Sequence, residues 1–148
     1  MRINKPTPIV PRVCVYWNER KMYYLVEKYA PSPNGGSIAL KDPVLIPSEQ
    51  FDESVAGVIL NCFESYTKDR FDPDRVARES DKEHREFTKQ HKKIAIFLSS
   101  PNDIDIYPLE RYRGGEHRGI KDSKITIAKS RALNDLPQAI HQAFSKAI

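Results

Sequence analysis

The chain has 148 residues, 39% hydrophobic and 30% charged, with a formal net charge of +4 and a pI near 9.0. That balance fits one soluble globular domain over residues 1–148 that can bury a core without a metal or disulfide staple. No apolar run approaches the ~18 residues of a membrane-spanning helix, and the charged first six residues lack an apolar stretch behind them, which predicts a cytoplasmic protein without a secretory signal.

In chain order, Val13-Cys14-Val15-Tyr16-Trp17 reads as a buried strand, followed by a turn at 18–21 and an alternating strand at 22–28. A Pro- and Gly-containing loop at 31–36 leads to a third strand, Val44-Leu45-Ile46-Pro47. Val55, Val58/Ile59, Cys62/Phe63 and Tyr66 then recur at three- and four-residue steps, which makes a helix with one apolar face. Asp52 is its candidate N-cap.

Residues 68–92 form a charged linker. Val76, Ala77 and Phe87 are its few apolar side chains, and Asp72-Pro73 resembles a helix start. A helix here is expected to be largely solvated, and a mobile linker is the equal alternative.

The second half repeats the first. Slid forward by 81 positions, 13–17 falls on Ile94-Ala95-Ile96-Phe97-Leu98, Tyr23 and Leu25 on Ile104 and Ile106, and Val44 and Ile46 on Ile125 and Ile127. Val55, Ile59, Cys62 and Phe63 fall on Leu136, Ile140, Ala143 and Phe144, with Asn134 as the second candidate N-cap. The expected fold class is therefore α+β: a pseudo-symmetric, duplicated β-β-β-α unit (halves about 10–67 and 92–148). Its antiparallel-rich sheet is covered by amphipathic helices, with a charged helical linker between the halves.

Cys14 and Cys62 fall opposite Ala95 and Ala143 under this shift, so both read as small core residues and not as nucleophiles. There is no C-x-x-C pair, P-loop, GxGxxG, HExxH or GxSxG, and no cofactor or metal is expected. His84 and His91 read as solvated linker residues, and His141 as an edge residue of the last helix.

Charge is concentrated late in the chain. Residues 110–131 hold seven cations against three anions, a surplus equal to the net charge. Within this stretch Arg111, Tyr112, Arg113, Glu116, His117 and Arg118 flank a Gly-Gly pair, combining the Arg and Tyr anchors common at protein interfaces. They are the candidate partner contacts. Two other readings stay open: a nucleic-acid-binding module gripping phosphates through the basic loop 110–131, and a ribonuclease using His117 with Glu116 as its orienting partner.

The second half, with Lys92-Lys93-Ile94-Ala95-Ile96-Phe97, Asp103-Ile104-Asp105-Ile106-Tyr107-Pro108, a Gly-rich loop, Ile125-Thr126-Ile127 and a closing helix, carries a family resemblance. So does the upstream stretch from Ile46-Pro47 to Phe63. Together they resemble the immunity proteins (CdiI) of bacterial contact-dependent growth inhibition systems, in the branch first catalogued as a domain of unknown function. The resemblance implies a cytoplasmic protein, not an enzyme, that binds the toxic C-terminal domain of a cognate effector, often a nuclease. This chain departs from the acidic face many nuclease inhibitors present, since it is net basic; Asp52, Glu53, Asp103, Asp105 and Glu110 are the acidic groups available.

Overall fold

The computed structural model describes residues 10–68, 71–112 and 115–148. Eight strands, β1 (Arg12–Asn18), β2 (Tyr23–Pro31), β3 (Ser37–Ala39), β4 (Val44–Pro47), β5 (Lys92–Ser100), β6 (Asp103–Arg111), β7 (His117–Gly119) and β8 (Ile125–Ala128), form one antiparallel sheet. The helices are α1 (Phe51–Lys68), α2 (Asp81–Gln90) and α3 (Ala132–Lys146). None of these helices is long and apolar enough to cross a membrane. The α+β class and the helix-covered antiparallel sheet are as expected.

The centre of the sheet runs β2-β1-β5-β6, with Cys14 directly opposite Ala95 at the β1–β5 seam. On the outer edge of β2, β4 pairs with the Tyr23–Val26 end and β3 with the Tyr29–Pro31 end. β6 carries β8 and β7 in the same arrangement. Each half thus has four strands, one more than the sequence pattern suggested. The added strands, β3 and β7, are only three residues long, too short to show a period.

The gapless shift of 81 fails in the second strand. Six residues separate the paired Trp17 and Tyr24, but only five separate their counterparts Leu98 and Ile104, with a pairing irregularity at Leu98/Ser100. Tyr24 and Val26, not Tyr23 and Leu25, face the core as Ile104 and Ile106 do, and all four are buried. A one-residue slip exchanges the two faces of a strand, so burial decides the matter.

One face of the sheet packs under α1 and α3. Val13, Val15, Tyr24, Val26, Ile94, Ile96, Ile104 and Ile106 meet Phe51, Val55, Ile59 and Phe63 of α1 and Leu136, Ile140, Ala143 and Phe144 of α3. Each fully buried aliphatic or aromatic side chain contributes roughly 1.5–3 kcal/mol, which makes this layer the main source of stability. Both helices start earlier than expected, directly after 3-10 turns at Ser48–Gln50 and Lys129–Arg131. Asp52 and Asn134 accordingly lie inside the first turns and are not caps.

The other face holds a second cluster of Cys14, Tyr16, Tyr29, Ala95 and Leu109 with Tyr66. Both cysteines are free and buried, as expected. Part of this face is covered by α2, which the linker does form. Asp72-Pro73 opens only a 3-10 turn, and the helix starts at Ser80, whose hydroxyl accepts the Glu83 amide hydrogen in a capping box. As expected, α2 is largely solvated, with Thr88 its one buried residue, and it is held to the sheet by a few side chains. Phe87 meets the Tyr16 ring edge-on at 4.8 Å and stacks on His91 at 3.9 Å, while Thr88 is buried.

Candidate partner-binding surface

The β6–β7 hairpin carries the residues that the sequence singled out. Arg111 pairs with His117 and Glu110 with Arg118 across the ladder. The turn is closed by Tyr112 N–H to the Glu116 carbonyl (2.8 Å) and Gly115 N–H to the Tyr112 carbonyl (3.1 Å). Arg113 and Gly114 lie outside the described residues. Gly115 has φ +86°, and a Cβ there would come within 3.2 Å of the Arg85 and His84 side chains. Glycine suits the left-handed backbone, where other residues are strained, and a methyl group there would also push the Arg85 and His84 side chains aside by a few tenths of an ångström. The Thr88 hydroxyl donates to the Gly115 carbonyl at 3.0 Å and ties the turn to α2.

Three of the candidates form one exposed cluster. The Arg118 guanidinium lies over the Tyr112 ring at 4.2 Å and donates to Glu116 at 3.1 Å. The Tyr112 hydroxyl donates to Glu110 at 2.6 Å, and that carboxylate raises the phenol above its ordinary pKa. The result is a flat aromatic–guanidinium plate, stiffened by its own hydrogen bonds and open to solvent.

Arg111 points elsewhere: its guanidinium donates to the Lys89 carbonyl at the end of α2 (2.9 Å), and its amide donates to Ile148. His117 turns inward, 6.3 Å from the Tyr16 ring. Burial first, and then the charge of Lys93, hold its pKa down to about 4, so the ring is neutral at pH 7. Its Nε2 is buried without a hydrogen-bond partner. Glu116, needed as the orienting carboxylate of an acid–base pair, is engaged by Arg118 instead. No group of three or more His, Cys, Asp or Glu side chains suited to a metal occurs among the described residues.

Two depressions flank the hairpin. Arg111 lines a groove of about 520 Å³ with Trp17, Asn18, Glu19, Arg20, Lys21, Lys89, Gln90 and Lys92. His117 lines another, about 490 Å³, on the open sheet face, where Arg12, Phe97, Asp105 and Tyr107 also contribute. The Arg12 guanidinium there sits over the Tyr29 ring at 4.6 Å, and its buried Nε lacks a partner. Beside it the Glu27 carboxylate accepts from both Tyr16 (3.1 Å) and Tyr29 (2.7 Å), and burial, joined by that carboxylate, raises both phenols far above their usual range.

No family model and no curated protein matches the sequence. The fold is nonetheless shared with solved structures. A protein of unknown function from Neisseria meningitidis superposes with a TM-score of 0.71 over 100% of both chains, at 11% identity. A chain of the CdiA-CT/CdiI toxin and immunity complex from Yersinia pseudotuberculosis gives 0.67 over 94% of this chain and 98% of that one, at 13% identity.

Sequence reasoning missed two features. His91 is not solvated but 1% exposed, beneath the cationic groove. Its Nδ1–H donates to the Phe87 carbonyl (2.8 Å), so Nε2 is the acceptor and takes the Tyr23 hydroxyl at 2.8 Å, with Asn18 closing the network. The convergence of Arg20, Lys21, Lys89 and Lys92 around Arg111 was also invisible, since these residues come from three distant segments. Of the acidic residues named as available for a binding face, Asp52 meets His141 at 2.6 Å, Asp105 accepts from Thr126 at 2.7 Å, and Asp103 accepts from Ser100 at 3.0 Å.

Proposed function

We propose that this chain is a cytoplasmic immunity protein that binds and neutralises the toxic C-terminal domain of a cognate contact-dependent growth inhibition effector, a nuclease being the toxin class favoured. The observation that carries the reading is the fold similarity, over 94% of this chain, to a chain of a toxin and immunity complex. The reading makes the protein a stoichiometric inhibitor and not an enzyme. Supporting it, the loop histidine is neutral and its neighbouring carboxylate is committed to Arg118, an arrangement suited to a surface and poor for proton transfer.

Neutralising a toxin inside the cell needs slow dissociation; nanomolar affinity corresponds to about −12 kcal/mol and is commonly met by interfaces of roughly 1,600 Å². In this reading Arg111, Tyr112, Arg113, Glu116, His117 and Arg118 contribute to that interface. The Tyr112–Arg118 plate supplies a rigid aromatic and guanidinium anchor that loses little side-chain entropy on binding.

The test is co-expression with the product of the gene immediately upstream, followed by affinity capture. Recovery of a 1:1 complex that survives nuclease treatment is the expected result. Capture of nucleic acid alone at 150 mM salt would replace this reading with a nucleic-acid-binding module.

A further inference from the structure

The groove beside Arg111 is strongly one-signed. Arg20 and Lys21 reach it from the β1–β2 turn, Lys89 from the end of α2, Lys92 from the start of β5 and Arg111 from the end of β6; Glu19 is its single acid. Five of the chain's 24 cationic side chains and one of its 20 acidic ones thus line one depression, a surplus of four that equals the net charge of the whole molecule. Among the described residues, Arg20, Lys21, Lys89 and Lys92 make no ion pair.

The floor is built to stay put. Asn18 is buried and accepts the Lys21 amide hydrogen through Oδ1 (3.0 Å) while its Nδ2 donates to Tyr23 (3.2 Å). His91, held below its ordinary pKa by burial, closes the network from below. Arg111, clamped on the Lys89 carbonyl, holds the end of α2 against the end of β6. Like charges gathered on a fixed frame repel one another, and an anionic guest relieves that repulsion.

We propose that this groove receives a carboxylate-rich segment of a partner protein, two or three Asp or Glu side chains entering between Lys21, Lys89, Lys92 and Arg111. The inference rests on the immunity reading for the partner's identity and adds its chemistry: the toxin presents acid where this protein presents base. A protein segment fits better than a nucleic acid. A depression of about 520 Å³ accommodates a few side chains, whereas a polynucleotide needs a basic track several phosphates long. Opposite charge also speeds encounter, which suits the capture of a newly arrived toxin.

The experiment uses the full chain and two labelled probes, octaglutamate and a 12-nucleotide oligouridylate, followed by fluorescence anisotropy at 50 mM salt. The groove variant K21E/K89E/K92E is compared with K121E/K124E/K146E, which makes the same change in net charge at residues outside the groove. Arg111 is left intact because it braces α2. The expected result is octaglutamate binding weakened at least tenfold in the groove variant and less than threefold in the control. Equal weakening in both variants overturns the proposal, as does oligouridylate binding tighter than octaglutamate and lost in the groove variant. Where the upstream gene product is captured, a dissociation rate unchanged in the groove variant removes the groove from the interface and leaves the immunity reading standing. If no toxin is captured by the wild type, that reading fails while the peptide measurement still judges the groove.

Discussion

Tyr23 and His91 are 68 residues apart in sequence, yet the Tyr23 hydroxyl lies 2.8 Å from His91 Nε2, and this contact joins the β1–β2 turn to the end of α2. Nδ1–H is spent on the Phe87 carbonyl, and burial, which lowers the imidazole pKa, favours the neutral ring, so Nε2 accepts from the Tyr23 hydroxyl. Replacing Tyr23 with Phe removes the donor to a buried acceptor. The expected cost is about 1–3 kcal/mol, read as a lower denaturant midpoint, with hydrogen exchange rising first in 88–92.

Acid should weaken the fold through two histidines. His91 and His117 both sit below their ordinary pKa, the latter at about 4, mainly through burial. Each therefore binds a proton more readily unfolded than folded. Their contribution is intact above pH ~6.5 and is lost as pH falls from there toward about 4. Denaturant midpoints measured at pH 7.5 and 5.0 should fall for the wild type and fall less for H117Q. An identical fall in both proteins would place the acid sensitivity elsewhere.

The Tyr112–Arg118 plate and Arg111 are separable by stability. Arg118 pairs with exposed groups, so R118E should move stability by less than about 0.5 kcal/mol and, on the proposed immunity role, weaken capture of the toxin. R111E also removes the hydrogen bond to Lys89 and should cost about 1 kcal/mol more. Thermal melts of the two variants beside a binding assay check both statements.

G115A tests whether the turn must be held in place. The left-handed backbone and the 3.2 Å approach to α2 both penalise a methyl group, by about 1–2 kcal/mol for the backbone alone. If toxin binding depends on a preformed hairpin, affinity falls in G115A although no contact residue has changed. Retained affinity with lowered stability would mean that the partner itself can order the turn.

The helix-covered face was legible in the sequence because it obeys simple periods: Val55, Ile59 and Phe63 repeat with the helix, and Val13 and Val15 with the strand. L136A, at the fully buried centre of α3, should accordingly cost about 2–5 kcal/mol. The opposite face was not legible. Its cluster mixes Tyr16, Tyr29, Glu27 and Arg12, polar residues whose burial depends on mutual hydrogen bonds and ring contacts that sequence spacing does not reveal. α2 is the charged, largely solvated helix its sequence suggests, but its anchorage by one phenylalanine, one threonine and the following histidine was not legible, for the same reason. Of the candidate site, the hairpin residues could be picked from composition. Their division among an exposed plate, a cationic groove and an inward-facing ring follows from strand alternation and the docking of α2.

The β1–β5 seam has a consequence for synthesis on the ribosome. β1 acquires its second neighbour only when residues 92–100 have been made, so the first four strands and α1 emerge with a long open edge through Val13, Cys14 and Val15. Nascent chains interrupted near residue 90 would expose that edge to one another and associate, since unpaired apolar strands template further pairing. Arrival of β5 closes that edge.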